Sequence, residues 1–241
     1  DYYLNVASLN DYAEFHYVFV FGADQIDYRY RKDEKQSLIY ERLSLNGNML
    51  FEYDYSKKRG NTDGIRALAP TLNWAFQDMD CILKYVINNT VLEDTHPLRQ
   101  MMRFVTNMLW FRSLSMTNNR YIGYKSKSDD YYDFIFDLEV LKEFEVFLHS
   151  AGIDENLTVK TDTDGKKRLY FDTETPLPFF QVASSGTEAL YTFFYWYKTA
   201  KDASFMFIDE FDAFYHYELA ESIVMILEKM PDTQVIITSH N

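Results

Sequence analysis

The chain has 241 residues, of which 47% are hydrophobic, so it can bury one large core or two small ones. Its formal net charge of −13 and its lack of a basic run argue against tight binding to a nucleic-acid backbone, although a local basic groove stays open because net charge averages over faces. One cysteine, Cys81, excludes a disulfide framework within the chain, and the sequence shows neither a membrane-spanning apolar run nor a signal peptide, so we expect a cytoplasmic protein without a membrane partner.

The first part of the chain has the period-two alternation of β-strands. Residues 14–53 carry it, for example in EFHYVFVFGA and QIDYRYRKD. Asn46 and Gly47 lie between two such runs and are typical of a tight hairpin turn, so we expect neighbouring antiparallel strands. The polar stretch 56–64 interrupts the pattern and indicates a boundary. We therefore assign residues 1–64 to an antiparallel β part.

The middle of the chain has a helical period. From residue 65 to about residue 116, apolar residues recur every three or four positions behind two prolines, which predicts a block of helices. The stretch LEVLKEFEVFLHSAG predicts a further amphipathic helix that ends near Gly152. We assign residues 65–150 to a helical lobe. A hairpin that turns at Asp164 and Gly165 is predicted after it.

The last third alternates helix and strand. The patterns predict a helix over 186–200, a strand over 204–209, a helix over 216–230 and a strand over 233–238. This order is typical of a parallel sheet with crossover helices, and it makes the fold class α/β. We assign residues 151–241 to this core.

Acidic residues follow the first of these strands directly. The apolar run FMFI leads into Asp209 and Glu210, and ligands of open α/β sheets bind at the carboxyl ends of such strands. One carboxylate there can hold Mg²⁺, and a neighbouring one can orient or deprotonate a water that attacks a phosphate. The alternative is a strand that ends in solvated acids, because this short motif is common.

Small hydroxyl residues open the preceding helix. Ser184, Ser185 and Thr187 flank Gly186, and a helix N-terminus binds phosphate through its free N–H groups while glycine permits close approach. The alternative is an ordinary helix cap in which a Ser or Thr hydroxyl acts with Glu188 at capping-box spacing.

A histidine follows the second strand. His240 comes after the run VIITS, so it is predicted at the same sheet edge as Glu210. A neutral imidazole there can contact a phosphate or position a water. The alternative is a strand-end histidine that is hydrogen-bonded to the backbone.

The order and spacing of these three stretches resemble the ATP-binding-cassette type of ATPase head. In that comparison SSGT resembles the signature loop and FMFIDE resembles the Walker B strand. Asp212 lies in what resembles the following loop that crosses a dimer interface, and His240 resembles the switch histidine.

The variant details are similar to a narrower group, the standalone AAA-type ATPases of bacteria, which are related to the OLD, RecF and SMC heads. Many members belong to anti-phage defence or toxin-like systems and are paired with a nuclease or another effector. The resemblance is specific over residues 137–241 and loose over residues 1–136. It implies a P-loop NTPase core with an antiparallel β arm and an inserted helical lobe.

The resemblance also implies roles for individual residues. Asp209 would help bind Mg²⁺, Glu210 would activate water, and His240 would contact the γ-phosphate of ATP. Residues 184–187, with Asp212, would act across a dimer of two heads that sandwich ATP. ATP and Mg²⁺ are thus the implied cofactors, and a second copy and a separate effector are the implied partners.

One element of the family pattern is missing from the sequence. No G-x-x-x-x-G-K-[ST] motif occurs, and Gly165-Lys166 lies in a predicted hairpin without the strand-to-helix context of a P-loop. We therefore expect the chain to be an excerpt of a longer protein that binds ATP weakly by itself. Two rival hypotheses stay open: a scaffold that does not hydrolyse ATP, and a DNA-repair ATPase of the RecF or SMC kind. The acidity and the lack of sustained heptads weigh against the second.

Overall fold

The computed structural model describes residues 4, 10–74, 81–112, 131–199, 201–211, 217–230 and 232–239. The chain divides into two compact units, residues 1–103 and 104–241. The functional division into residues 1–64, 65–150 and 151–241 stays a prediction, because the two units are defined by compactness alone.

The first unit contains a five-stranded sheet in the order β1-β2-β3-β4-β5, and every pair of neighbours is antiparallel. The strands are β1 (Tyr12–Phe21), β2 (Asp24–Asp33), β3 (Leu38–Leu45), β4 (Asn48–Asp54) and β5 (Arg59–Asn61). Asn46 and Gly47 have φ angles of 52° and 77°, which a two-residue hairpin turn requires. The predicted antiparallel strands and the turn at Asn46-Gly47 are confirmed.

One face of this sheet supplies the core of the first unit. Ile26, Leu43 and Phe51 on that face are fully buried. Three helices follow the sheet: α1 (Asp63–Leu68), α2 (Ile82–Asn89) and α3 (Pro97–Thr106). These helices also contribute fully buried side chains to the core, among them Ile65 and Val86. The polar stretch that indicated a boundary instead holds β5, whose residues are all exposed and therefore carry no apolar signal.

The second unit contains a three-stranded parallel sheet in the order β11-β10-β6. Its strands are β6 (Met108–Arg112), β10 (Phe205–Asp209) and β11 (Gln234–Ile237). Helix α6 (Ser185–Thr199) precedes β10, and α7 (Tyr217–Leu227) connects β10 to β11. The four elements predicted for the last third are confirmed within a few residues.

The helical prediction is wrong at β6. Helix α3 ends at Thr106, and the next residues form a strand that pairs in parallel with β10. A short apolar run after a helix has no periodicity that separates strand from helix, so the outcome depends on pairing with a strand about a hundred residues away.

A smaller antiparallel sheet completes the second unit. It comprises β7 (Leu157–Thr161), β8 (Lys167–Phe171) and β9 (Leu177–Pro178), and Gly165 with a φ of 79° lies in the turn of the predicted hairpin. Two helices flank it along the chain: α4 (Leu138–Ser150), as predicted from its amphipathic pattern, and the short α5 (Phe179–Val182).

The core of the second unit is aromatic. Phe144, Phe179, Tyr191 and Tyr195 are almost inaccessible to solvent, and the ring of Tyr191 meets that of Phe144 edge to face at 5.3 Å. Helix α6 is buried around most of its circumference, which identifies it as a core helix. Among the described residues, no helix is long and apolar enough to cross a membrane.

Candidate functional site

The candidate site lies at the carboxyl end of β10. Met206 and Ile208 point to the buried face of the parallel sheet, so the strand alternation places Asp209 on the opposite face with Phe207. Trp110 and Ile236 are the register partners of Phe207 on the neighbouring strands. Asp209 therefore ends the less buried face of the sheet.

Thr238 connects the ends of the two neighbouring strands. Its hydroxyl donates to Oδ1 of Asp209 at 2.8 Å and accepts from the backbone N–H of Glu210 at 2.7 Å. Its own N–H donates to the carbonyl oxygen of Ile208 at 3.0 Å, and its carbonyl accepts from the N–H of Phe211 at 3.0 Å. These four bonds fix the direction of the Asp209 carboxylate and the path of the chain just after β10.

The backbone of Glu210 is in the left-handed region, with a φ of 52°. This conformation costs a residue with a Cβ of the order of 1–2 kcal/mol, and it persists only where surrounding contacts hold it. The hydrogen bond from the N–H of Glu210 to Thr238 is such a contact. The turn separates Glu210 from the regular strand β10, which ends at Asp209, and strained residues of this kind cluster at functional sites.

The hydroxyl loop begins helix α6. Ser184 is the cap residue, because its Oγ accepts from the N–H of Thr187 at 3.1 Å and its carbonyl accepts from the N–H of Glu188 at 3.0 Å. The hydroxyls of Ser184 and Thr187 are also hydrogen-bonded to each other at 2.9 Å. A serine therefore caps the helix as that alternative predicts, but its partner is Thr187 and not Glu188.

The surroundings of this loop differ from residue to residue. Ser184 and Ser185 are exposed, Gly186 is half-buried, and Thr187 is buried. Burial raises the pKa of the Glu188 carboxyl above its usual value. Ser184 and Ser185 therefore reach solvent at the N-terminus of α6, while the buried Thr187 packs the first turn of the helix against the rest of the unit.

The structure brings only some of the sequence-predicted residues together. Asp209 and Glu210 share the sheet edge with Thr238, while residues 184–187 form a separate group at the start of α6. Asp212 and His240 lie outside the described residues. Sequence analysis missed the role of Thr238, since a hydroxyl after a strand is a signal only once the register of β10 and β11 is known.

The carboxylates at the end of β10 suit a metal ion that is bound together with a phosphate-containing ligand. Within the described ranges, no group of three or more His, Cys, Asp and Glu side chains could hold a metal ion. Mg²⁺ bound together with a nucleotide needs less, since it commonly takes one or two carboxylates and completes its shell with phosphate oxygens and water. Asp209, oriented by Thr238, fits that requirement.

Comparison with known families decides the affiliation of the chain. Residues 5–241 match the family described as "AAA domain, putative AbiEii toxin, Type IV TA system". The chain belongs to this AAA-domain family. The mixed α/β fold agrees with an AAA-type P-loop NTPase domain, and membership indicates ATPase activity in a toxin–antitoxin-like context. A comparison with curated proteins gives no match.

Proposed function

We propose that this chain is part of an ATPase head that binds ATP, hydrolyses it with Mg²⁺, and thereby switches an assembly of two or more heads. One observation supports the proposal above all. At the carboxyl end of β10, in a chain of an AAA-domain family, Thr238 is hydrogen-bonded to the carboxylate of Asp209 and to the backbone N–H of Glu210.

The two carboxylates have different roles in this proposal. Asp209 is the metal ligand, because the hydroxyl of Thr238 fixes one of its oxygens and so orients the group. Mg²⁺ bound with ATP would neutralise the charge that develops on the phosphates. Glu210 orients the attacking water and accepts its proton, and the left-handed turn sets its position relative to Asp209.

The helix N-terminus at Ser184 provides the second half of the proposed mechanism. The exposed Ser184 and Ser185, with Gly186, bind the γ-phosphate of the ATP that is held by a second copy of the head, while the buried Thr187 holds the loop through its bonds to Ser184. The γ-phosphate then contacts both heads only in the closed state, so its hydrolysis shifts the equilibrium towards opening.

The remaining parts rest on the family resemblance. We propose that Asp212 lies at the interface of the two heads and that His240 contacts the γ-phosphate. We also propose that the assembly acts in a cytoplasmic bacterial defence or toxin-like system, where a separate nuclease or toxin is the effector.

The test is the molecular mass of the full-length Glu210→Gln protein in ATP and Mg²⁺, measured by light scattering together with the identity of the bound nucleotide. We expect a larger species that retains ATP, whereas wild-type protein returns to the smaller species as ATP is consumed. Glu228→Gln is the matched control, since Glu228 is an exposed glutamate just after α7. A mass that ATP leaves unchanged in all three proteins would contradict the switch.

A further inference from the structure

The five-stranded sheet of the first unit has a polar face with a small pocket. The pocket lies where β2 and β3 run side by side next to the hairpin turn, and its volume is about 190 Å³. It is lined by Gln25, Asp27, Arg29, Arg42, Ser44 and Gly47. The volume is below the range of pockets that hold whole drug-sized molecules, so it suits one compact polar group.

Two arginines face each other in this pocket. Arg29 on β2 and Arg42 on β3 are direct register partners, which places their side chains on the same face of the sheet about 5 Å apart at Cβ. Like charges directly opposite each other destabilise an antiparallel pair. The two side chains therefore repel each other unless an anion lies between them.

The two guanidinium groups are not equally compensated. Nε of Arg29 donates to Oδ1 of Asp27 at 3.2 Å, and Oδ2 of the same carboxylate lies 2.9 Å from Nε2 of His16. Arg42 forms no ion pair with a described residue. Its Nε is buried and has no hydrogen-bond partner among the described residues. Glu52, the cross-strand neighbour of Arg42, instead accepts from the hydroxyl of Tyr40.

The six lining residues include one more cationic side chain than anionic ones. Burial raises the pKa of Asp27, but hydrogen bonds from Arg29 and His16 outweigh burial and hold that pKa below its usual value, so Asp27 is ionised at neutral pH. Two arginines against one aspartate give the lining a charge of about +1, in a chain whose net charge is −13. Ser44, which is buried, adds a hydroxyl to the lining.

We propose that this pocket, which we call the Arg29/Arg42 pocket, binds the phosphate group of a small phosphate ester. Planar guanidinium groups donate paired hydrogen bonds to phosphate oxygens, and a bound phosphate removes the repulsion between the two arginines. The ligand is a small molecule rather than a nucleic acid, because the pocket admits one phosphate group and the chain as a whole repels a polyanion. The proposal is independent of ATP hydrolysis, since it uses no residue of the β10 edge.

The test is calorimetric titration of the full-length protein with inorganic phosphate, ribose 5-phosphate and a short single-stranded oligonucleotide. We expect both small phosphates to bind the wild-type protein, and Arg42→Gln to weaken them about tenfold or more, the usual effect of losing a charged hydrogen-bond partner. Arg29→Gln is the second variant. Arg99→Gln is the matched control, because Arg99 is an exposed arginine of the same unit and its Nε lies 3.7 Å from a carboxylate oxygen of the exposed Asp94.

Stability provides an internal check of the variant. Without ligand, Arg42→Gln should melt close to the wild-type temperature, because Arg42 forms no ion pair with a described residue. Phosphate should raise the melting temperature of the wild type relative to chloride of equal ionic strength, and this rise should be lost in the variant. Arg42→Gln should leave the affinity for ATP unchanged while it weakens phosphate, which separates this site from the ATPase edge. Equal phosphate affinity in wild type and Arg42→Gln, or binding of the oligonucleotide alone, would overturn the proposal.

Discussion

A single hydroxyl organises the candidate site at the scale of one residue. Thr238 contacts the side chain of Asp209 and the backbone of Glu210 through the same oxygen, so it joins the proposed metal ligand to the proposed base. Groups that orient a metal ligand commonly affect activity by 10- to 100-fold without touching the substrate. Thr238 is in this sense a positioning residue.

We predict that Thr238→Val lowers the kcat for ATP hydrolysis by about 10- to 100-fold while KM changes little. Valine keeps the shape of threonine but removes the hydrogen bond to Asp209 and the one from the N–H of Glu210. Steady-state kinetics at several ATP concentrations measure both constants.

Thr238→Ser is the control for that prediction, because serine restores the hydroxyl while it loses the methyl group. Its kcat should lie close to that of the wild type. A serine variant as slow as the valine variant would show that the methyl group and packing matter, and that the hydroxyl does not position Asp209.

The sequence predicts some of this site and not the rest. Asp209 and Glu210 stand out because a buried apolar run leads directly into them. The role of Thr238 depends on the parallel pairing of β10 and β11, which brings it next to Asp209, 29 residues away in the chain. The left-handed φ of Glu210 is held by a contact with the same threonine. Local patterns contain no information about either feature.

A buried carboxylate organises the first unit in a comparable way. Glu41 is inaccessible to solvent, and it accepts hydrogen bonds from the hydroxyls of Tyr28 and Tyr55, from the Sγ–H of Cys81, and from the N–H of Ile82 at the start of α2. Burial, together with the charge of Glu41, raises the pKa of the Cys81 thiol to about 12. The thiol is therefore a donor in a closed network and not a nucleophile.

We predict that Cys81 in the folded protein reacts with a thiol reagent at pH 8 about a thousandfold more slowly than in urea, because a rise in pKa from 9.0 to about 12 removes most of the thiolate. The chain has no other cysteine, so the absorbance of the released reagent reports on this thiol alone. Equal rates in buffer and in urea would contradict the buried network.

The same raised pKa predicts an alkaline loss of stability. Because the folded-state pKa lies above the unfolded value of 9.0, the contribution of Cys81 is fully present below pH 9 and is lost as the pH rises towards 12. The free energy of unfolding, measured in urea, should fall over this window. Cys81→Ser should reduce the slope of that fall, and an unchanged slope would assign it to the tyrosines instead.

At the scale of elements, β5 depends on one glycine. A Cβ added to Gly60 would lie 2.0 Å from the carbonyl oxygen of Glu52 and 2.6 Å from Cα of Tyr53, both of them backbone atoms of β4. Backbone atoms of a paired strand cannot move aside as a flexible side chain can. The short edge strand therefore tolerates no side chain at this position.

We predict that Gly60→Ala lowers the free energy of unfolding by about 1–3 kcal/mol, the usual cost of forcing extra atoms into a packed region. Chemical denaturation measures the change. Ser56→Ala, an exposed substitution in the same polar stretch, should stay within about 0.5 kcal/mol of the wild type. A Gly60→Ala protein as stable as the Ser56→Ala protein would contradict the close approach of β5 to β4.

Elements differ in how well the sequence predicts them, and the reason is physical. Helix α6 and strand β10 are predicted correctly because both are largely apolar in sequence and both are largely buried in the fold. Strand β6 is a short apolar run that directly follows a helix, and β5 is polar throughout, so pairing with β10 and β4 is what makes them strands. Hydrogen bonds between distant segments determine the secondary structure where the local sequence pattern does not.

At the scale of the whole molecule, the open face of the parallel sheet leads to the candidate site. Trp110 and Ile236 are 41% and 42% exposed, although they flank Phe207 in the middle of a parallel sheet. Buried parallel sheets usually have both faces covered. Among the described residues, the face that ends in Asp209 is thus the more accessible of the two faces of the sheet.

The most direct test of the central claim is the rate of Mg²⁺-dependent ATP hydrolysis by the full-length protein and its Glu210→Gln variant. Loss of a general base should lower kcat by about 10²- to 10⁴-fold, with ATP binding retained. Glu228→Gln should hydrolyse ATP at the wild-type rate. Equal rates in the wild type and Glu210→Gln, or hydrolysis that persists without Mg²⁺, would contradict the assignment of the β10 edge as the centre of ATP hydrolysis.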